Sequence, residues 1–245
     1  MPMAPPLPPL RPPLRPPLRP SPRHALSTRL WHWVNFACLA ILFMSGLNIS
    51  NAHPQLYWGE WGFDPRTAWL RLPEFPGWMT IPGTYNLAEA RLWHFLAAWP
   101  FALGLAIYLV VALVRGHFRN FVLRRSELRW ATIRDDLRQH LKFDFTAHHG
   151  RFNLLQKFLY IAVLFVGLPL MIFTGLALSP AMGTAWPWLL DVFGGRQSAR
   201  SIHFIVAFGL FAFFVLHVLA VLLSGPIGQL RDMITGGRKV AEEAS

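Results

Sequence analysis

Four stretches of this chain, residues 30–59, 92–114, 158–190 and 201–230, contain no Asp, Glu, Lys or Arg. Crossing about 30 Å of hydrocarbon takes roughly 20 apolar residues in a helix, and each stretch is long enough. A water-soluble domain carries about a quarter of its residues as charges; here only 14% of 245 residues are charged. The pattern predicts an all-α integral membrane protein, a bundle of four transmembrane helices at about 30–50, 90–114, 154–178 and 200–223. Trp31, Trp33, Trp93 and Trp99 stand near helix entrances, where amphipathic rings favour the headgroup level. Ser224-Gly225-Pro226 stops the last helix.

The basic residues fix the orientation. Arg11, Arg15, Arg19, Arg23 and Arg29 precede the first helix, and the 115–153 loop is rich in Arg, whereas the other two loops carry only Arg66, Arg71 and Arg196. Lys and Arg accumulate on the cytoplasmic side, so both termini are predicted there. The net charge of +11 is mostly this topology signal. Nucleic-acid binding needs basic residues on one soluble face, which this distribution does not provide.

Residues 1–23 repeat Arg-Pro-Pro-Leu in a Pro-rich run and read as a disordered cytoplasmic arm, or as sequence upstream of the true start. The membrane domain is predicted over 24–230, with a periplasmic loop at 51–88, a cytoplasmic loop at 115–153 and a cytoplasmic tail at 231–245. The 51–88 loop holds Tyr57, Trp58, Trp61, Phe63, Trp69, Phe75, Trp78 and Tyr85, an aromatic surface suited either to the membrane interface or to a partner protein. Trp130, Ile133, Leu137 and Leu141 recur at helical spacing and predict a short helix lying on the bilayer.

The chain also repeats itself. Met44-Ser45-Gly46-Leu47 ends helix one and Phe173-Thr174-Gly175-Leu176 ends helix three, while Ala90-Arg91-Leu92-Trp93-His94-Phe95 opens helix two and Ala199-Arg200-Ser201-Ile202-His203-Phe204 opens helix four. Two helix pairs of the same orientation would be related by a pseudo-two-fold axis along the membrane normal. That axis sets His94 and His203 at one depth, facing each other.

Four of ten histidines, His32, His94, His203 and His217, lie within the spans. An ionisable side chain there is costly and by default a functional hypothesis. The single cysteine, Cys38, excludes an internal disulfide framework, a thiolate-held iron–sulfur cluster and a covalent C-x-x-C-H haem, which leaves imidazole as the iron ligand available. His203 and His217 are 14 residues apart. At about 100° per residue that is only about 40° short of four turns, so both point the same way, separated by a rise of about 21 Å. The prediction is two bis-histidine haem b groups, at His94/His203 near the periplasm and at His32/His217 near the cytoplasm.

Gly46 and Gly175 occupy repeat-equivalent positions where a flat macrocycle could lie against the backbone, although helix packing explains them equally. Arg29, Arg91 and Arg200 each precede a ligand candidate by three residues, placed to pair with haem propionates or to anchor the helices at the interface. The remaining histidines, among them the adjacent His148 and His149, read as solvated loop residues.

These elements resemble the prokaryotic four-helix di-haem cytochrome b superfamily, which includes the Ni,Fe-hydrogenase cytochrome b subunit, the formate dehydrogenase gamma subunit and the thiosulfate-reductase-type cytochrome b subunit. The resemblance covers roughly residues 24–230 and is carried by Arg29-Leu30-Trp31-His32-Trp33, His94 and the His203/His217 pair. It implies the same ligand pairing and a location in the bacterial inner membrane. Asn153-Leu154-Leu155-Gln156-Lys157 is similar to a segment that lines a quinone pocket in the formate dehydrogenase subunit, which implies Asn153 and Gln156 as quinone contacts. Read alone, Asn153 is explained as well by helix capping. Ala185-Trp186-Pro187-Trp188 and Gly195-Arg196-Gln197-Ser198-Ala199-Arg200 resemble members that accompany a periplasmic molybdopterin oxidoreductase.

The expected function is electron transfer in respiration. Electrons pass between a periplasmic redox subunit docked on the 51–88 and 179–199 loops, the two haems and a membrane quinone, so the chain is an enzyme only as part of that turnover. One alternative is a self-standing cytochrome b quinone reductase, and another is a haem-free transporter or scaffold.

Overall fold

The structure is a computed structural model that describes residues 26–114, 134, 154–223 and 225–237. Four helices in it are long and apolar enough to cross a membrane, and the chain is a multi-pass helical membrane protein. Helix α1 spans Leu26–Ala52 and α2 spans Leu87–Val114. The third, α3, is continuous but composite: an α-helical Leu154–Ile161, a π-helical turn Ala162–Gly167 and an α-helical Leu168–Leu178. Two short helices follow, α4 at Pro180–Ala185 and α5 at Trp188–Val192, then the long α6 at Arg196–Leu223 and finally α7 at Pro226–Thr235.

Helices α1, α2 and α6 start earlier than hydropathy alone places them, and at α2 and α6 polar side chains outside the apolar windows accept from first-turn N–H groups. Asn86 caps α2: its Oδ1 accepts from the backbone N–H of Glu89 at 3.1 Å, and its Nδ2 donates back to the Glu89 carboxylate at 3.4 Å. This reciprocal pairing satisfies orphan groups of the first turn. The start of α6 is capped from a distance, since Glu60 Oε2 accepts from the Arg196 N–H at 3.1 Å. A carboxylate there also complements the positive end of the helix dipole.

Helix α1 packs mainly against α2, and the Leu168–Leu178 part of α3 packs against α6. The buried positions at these seams are mostly small: Ser45, Ala90, Ala97, Ala112, Thr174, Ala177, Ala199 and Ser201. Small side chains let membrane helices approach closely, while the large apolar residues face outward. Gly104 is a clear case, because a Cβ there would overlap the ring of Trp31, which stacks on Tyr108.

The 53–86 connection is ordered. Gln55–Leu56 pairs antiparallel with Leu70–Arg71, and Leu56 is buried beneath the pair. One half of the loop is fixed to α6: Ser201 donates to Tyr57 O at 2.6 Å, Gly59 N–H donates to Ser198 Oγ at 2.7 Å, and Trp69 Nε1 donates to Ser201 Oγ at 3.0 Å. The other half is fixed to α1: Asn48 Nδ2 donates to Pro82 O and Thr84 O at 2.9 Å each, and Asn51 exchanges two hydrogen bonds with the Phe75 backbone. The loop thus forms a cap over the ends of α1 and α6 on the side where His94 and His203 lie.

At the opposite end, Gly225 takes φ 92° to turn the chain, and Pro226 opens α7. Helix α6 ends at Leu223, and a further helix that hydropathy did not predict begins at Pro226. Arg29 donates to Ile234 O, and Trp33 Nε1 donates to Met233 O at 3.4 Å, so α7 is held against the start of α1. The Pro-rich arm, the amphipathic 130–141 stretch, His148, His149 and Asn153 lie outside the described residues, apart from the helical Arg134.

Candidate functional site

The four span histidines come together as two pairs. His94 on α2 and His203 on α6 have ring centres 6.3 Å apart with planes inclined at 55°. His32 on α1 and His217 on α6 have ring centres 6.4 Å apart with planes inclined at 61°. Both pairs share α6, so the 14-residue spacing holds the two sites at different depths on one face.

Between them runs an apolar aromatic seam. The ring centres of Phe204 and Phe208 lie 4.4 Å apart, those of the stacked Phe43 and Phe211 4.3 Å, and those of Phe36 and Phe214 6.1 Å.

The first pair has matched surroundings. Ser45 Oγ lies 2.9 Å from His94 Nδ1, and Thr174 Oγ1 lies 2.8 Å from His203 Nδ1. Each hydroxyl also donates to the carbonyl four residues back, Ser45 to Ile41 O and Thr174 to Leu170 O, both at 2.6 Å. The next residue in each case is a glycine beside the ring. A Cβ on Gly46 would meet His94 Cε1 at 3.7 Å, and one on Gly175 would meet His203 Cε1 at 3.5 Å. No other side chain among the described residues comes within 4 Å of either position.

The hydroxyls were not singled out from sequence. The signal was present, since Ser45-Gly46 and Thr174-Gly175 fall at the same place in the two similar segments.

These residues fit a haem held by two histidines. A metal–imidazole bond is about 2.0 Å and the ring centre lies about 1.1 Å beyond the nitrogen, so two imidazoles facing each other across one metal would have centres about 6.2 Å apart. Both pairs stand at that separation, and the open faces of Gly46 and Gly175 leave room for a flat group. Among the described residues no three His, Cys, Asp or Glu side chains converge, so the donor set is pairwise.

The three arginines are placed differently from one another. Arg200 donates to the backbone carbonyls of His53, at 2.9 Å, and Gln55, and so ties the loop to α6. Arg91 is exposed, with its guanidinium 5.9 Å from the Phe95 ring centre. Arg29 holds α7, while its Nε is buried with no hydrogen-bond partner among the described residues. Gln156 falls in the first turn of α3.

Outside the spans, burial and then the Arg200 cation lower the pKa of His53. The Asp64 carboxyl is held below its usual range by its hydrogen bonds from Arg66.

Four apolar helices carrying facing imidazole pairs define a membrane-embedded cytochrome-type protein. The chain belongs to the prokaryotic cytochrome b561 family, which its residues 23–236 match. It is 29% identical over 196 residues to the "Putative protein-methionine-sulfoxide reductase subunit YedZ1" of Azospira oryzae, covering 80% of this chain and 87% of that one. It is 25% identical over 228 residues to the "Probable Ni/Fe-hydrogenase B-type cytochrome subunit" of Cupriavidus necator, covering 86% and 83%. No solved structure matches it. The chain is thus a cytochrome b membrane subunit of the kind found in redox complexes.

Proposed function

We propose that this chain is a di-haem b-type subunit that carries electrons between a periplasmic oxidoreductase of the molybdopterin class and the membrane quinone pool. The observation that carries the reading is the pair of facing imidazole sets, with ring centres 6.3 Å and 6.4 Å apart, joined by a common helix. When bound, haem b supplies reversible one-electron chemistry that no side chain of the protein provides.

The protein supplies position and environment. His94 and His203 hold the iron near the periplasm and His32 and His217 hold it near the cytoplasm, about 21 Å apart along α6. The matched surroundings of His94 and His203 support two parallel helix-pair repeats. The aromatic seam keeps water and charge out of the space between the pairs. Arg91, exposed three residues before His94, and Arg29, whose buried Nε has no acceptor among the described residues, are the proposed propionate partners.

Both termini are cytoplasmic in this reading, in a bacterial inner membrane, so the capped 53–86 loop and the α4–α5 segment form the periplasmic docking face. Trp58, Trp61, Phe63, Trp78 and Trp188 are exposed on it. The two relatives are named as subunits of redox enzymes, which supports a redox partner here. The molybdopterin class rests on the similarity of residues 185–188 and 195–200. Asn153 and Gln156 are the proposed quinone contacts.

Purification from native membranes tests the reading: a b-type absorption band should appear on reduction and a periplasmic subunit should co-purify. A monomeric preparation that turns over quinone fully without a partner would instead establish a self-standing quinone reductase.

A further inference from the structure

We propose that Ser45 and Thr174 are positioning residues that hold His94 and His203 as Nδ1–H tautomers and so set the reduction potential of the iron site between them. The inference rests on the haem reading above. It starts from proton inventory. A hydroxyl has one proton, and in both residues that proton is committed to a helix carbonyl at 2.6 Å, the back-bond open to Ser and Thr inside a helix.

Only oxygen lone pairs remain to face the imidazoles. At 2.9 Å and 2.8 Å from Nδ1, a second lone pair on the ring nitrogen would be repulsive, so Nδ1 carries the proton and donates it. Nε2 is then the nitrogen with a lone pair, the one a metal takes. Both hydroxyl residues are fully buried, so water does not compete for these bonds.

The same network restrains ring rotation. Each hydroxyl is fixed to its own helix by its back-bond, so its contact with Nδ1 fixes that edge of the ring. Outer partners of this kind orient a ligand and tune its basicity. A neutral hydroxyl is a weaker acceptor than a carboxylate and gives the imidazole less anionic character. Removing it lowers ligand basicity further, which favours the reduced iron and raises the potential. Placing a carboxylate there would do the opposite.

The test is a redox titration of the full-length chain with its haems, combined with electron paramagnetic resonance of the oxidised form. Thr174→Val keeps the shape and deletes the hydroxyl, and Ser45→Ala is its counterpart. Thr174→Ser and Ser45→Thr keep the hydroxyl.

In the Ala/Val double variant, one of the two haems should shift about tenfold toward the reduced form at a fixed potential, equivalent to 59 mV for a one-electron couple. Its resonance should change while the other haem stays as in wild type, and the two hydroxyl-keeping variants should behave as wild type. Haem loss confined to the variants without hydroxyls also supports the proposal. Unchanged potentials and resonances in the double variant overturn it, as does equal haem loss in the hydroxyl-keeping variants. A wild-type chain with no b-type band would overturn the haem reading itself, a separate failure.

Discussion

A Cβ added to Gly46 would stand 3.7 Å from His94 Cε1, an ordinary contact, and the rest of that face is left open. Gly175 stands in the same relation to His203, at 3.5 Å. Gly46→Ala and Gly175→Ala should therefore leave folding and haem content near wild type, whereas Gly46→Leu and Gly175→Leu should cut haem at this site by more than about half through overpacking. Haem-to-protein ratios of the purified variants check this.

Gly104 is different, because there a Cβ overlaps the Trp31 ring. Trp31 is itself stacked on Tyr108 and cannot move freely. Gly104→Ala should destabilise the α1–α2 pair by about 1–3 kcal/mol despite the better helix propensity of Ala. Thermal unfolding in detergent, compared with Gly46→Ala, measures the contrast.

Arg200 holds the loop rather than the interior. Arg200→Ala removes bonds from a cation to the carbonyls of His53 and Gln55 and should cost the cap about 1.5–3 kcal/mol. Limited proteolysis should then show faster cleavage within residues 53–72, with haem content retained.

His53 should make the cap sensitive to acid. Its pKa in the folded loop is below the ordinary 6.5, first through burial and then through Arg200. A detached loop binds the proton more readily, so the cap's stability is full above about pH 6.5 and is lost as pH falls through the window beneath that value. The protection of residues 53–57 against hydrogen exchange, taken relative to the intrinsic rate at each pH, should fall between pH 7.5 and pH 5, and His53→Asn should flatten the response.

The spans and the histidines within them were legible because lipid punishes charge, leaving few polar residues inside and making each one conspicuous. Helix ends were less so. The first turn of α6 depends on Glu60, which is 136 residues away, and no local pattern announces that bond. The ordered cap was missed for the same reason: Ser198, Arg200 and Ser201 read as helix residues until their loop partners are seen. The π turn at Ala162–Gly167 and the short α4 lie where the apolar run gives no period to read, and α5 and α7 are too short for a pattern to stand out. Arg29, Arg91 and Arg200 share a spacing but not their surroundings, because spacing sets only the direction from which a side chain leaves its helix.

Haem stoichiometry in the purified wild type, His203→Ala and His217→Ala tests the central claim most directly. Two b-type haems per wild-type chain are expected, and one in each variant, with different spectra because different sites survive. A wild-type chain without haem, or variants with undiminished haem, would contradict the account.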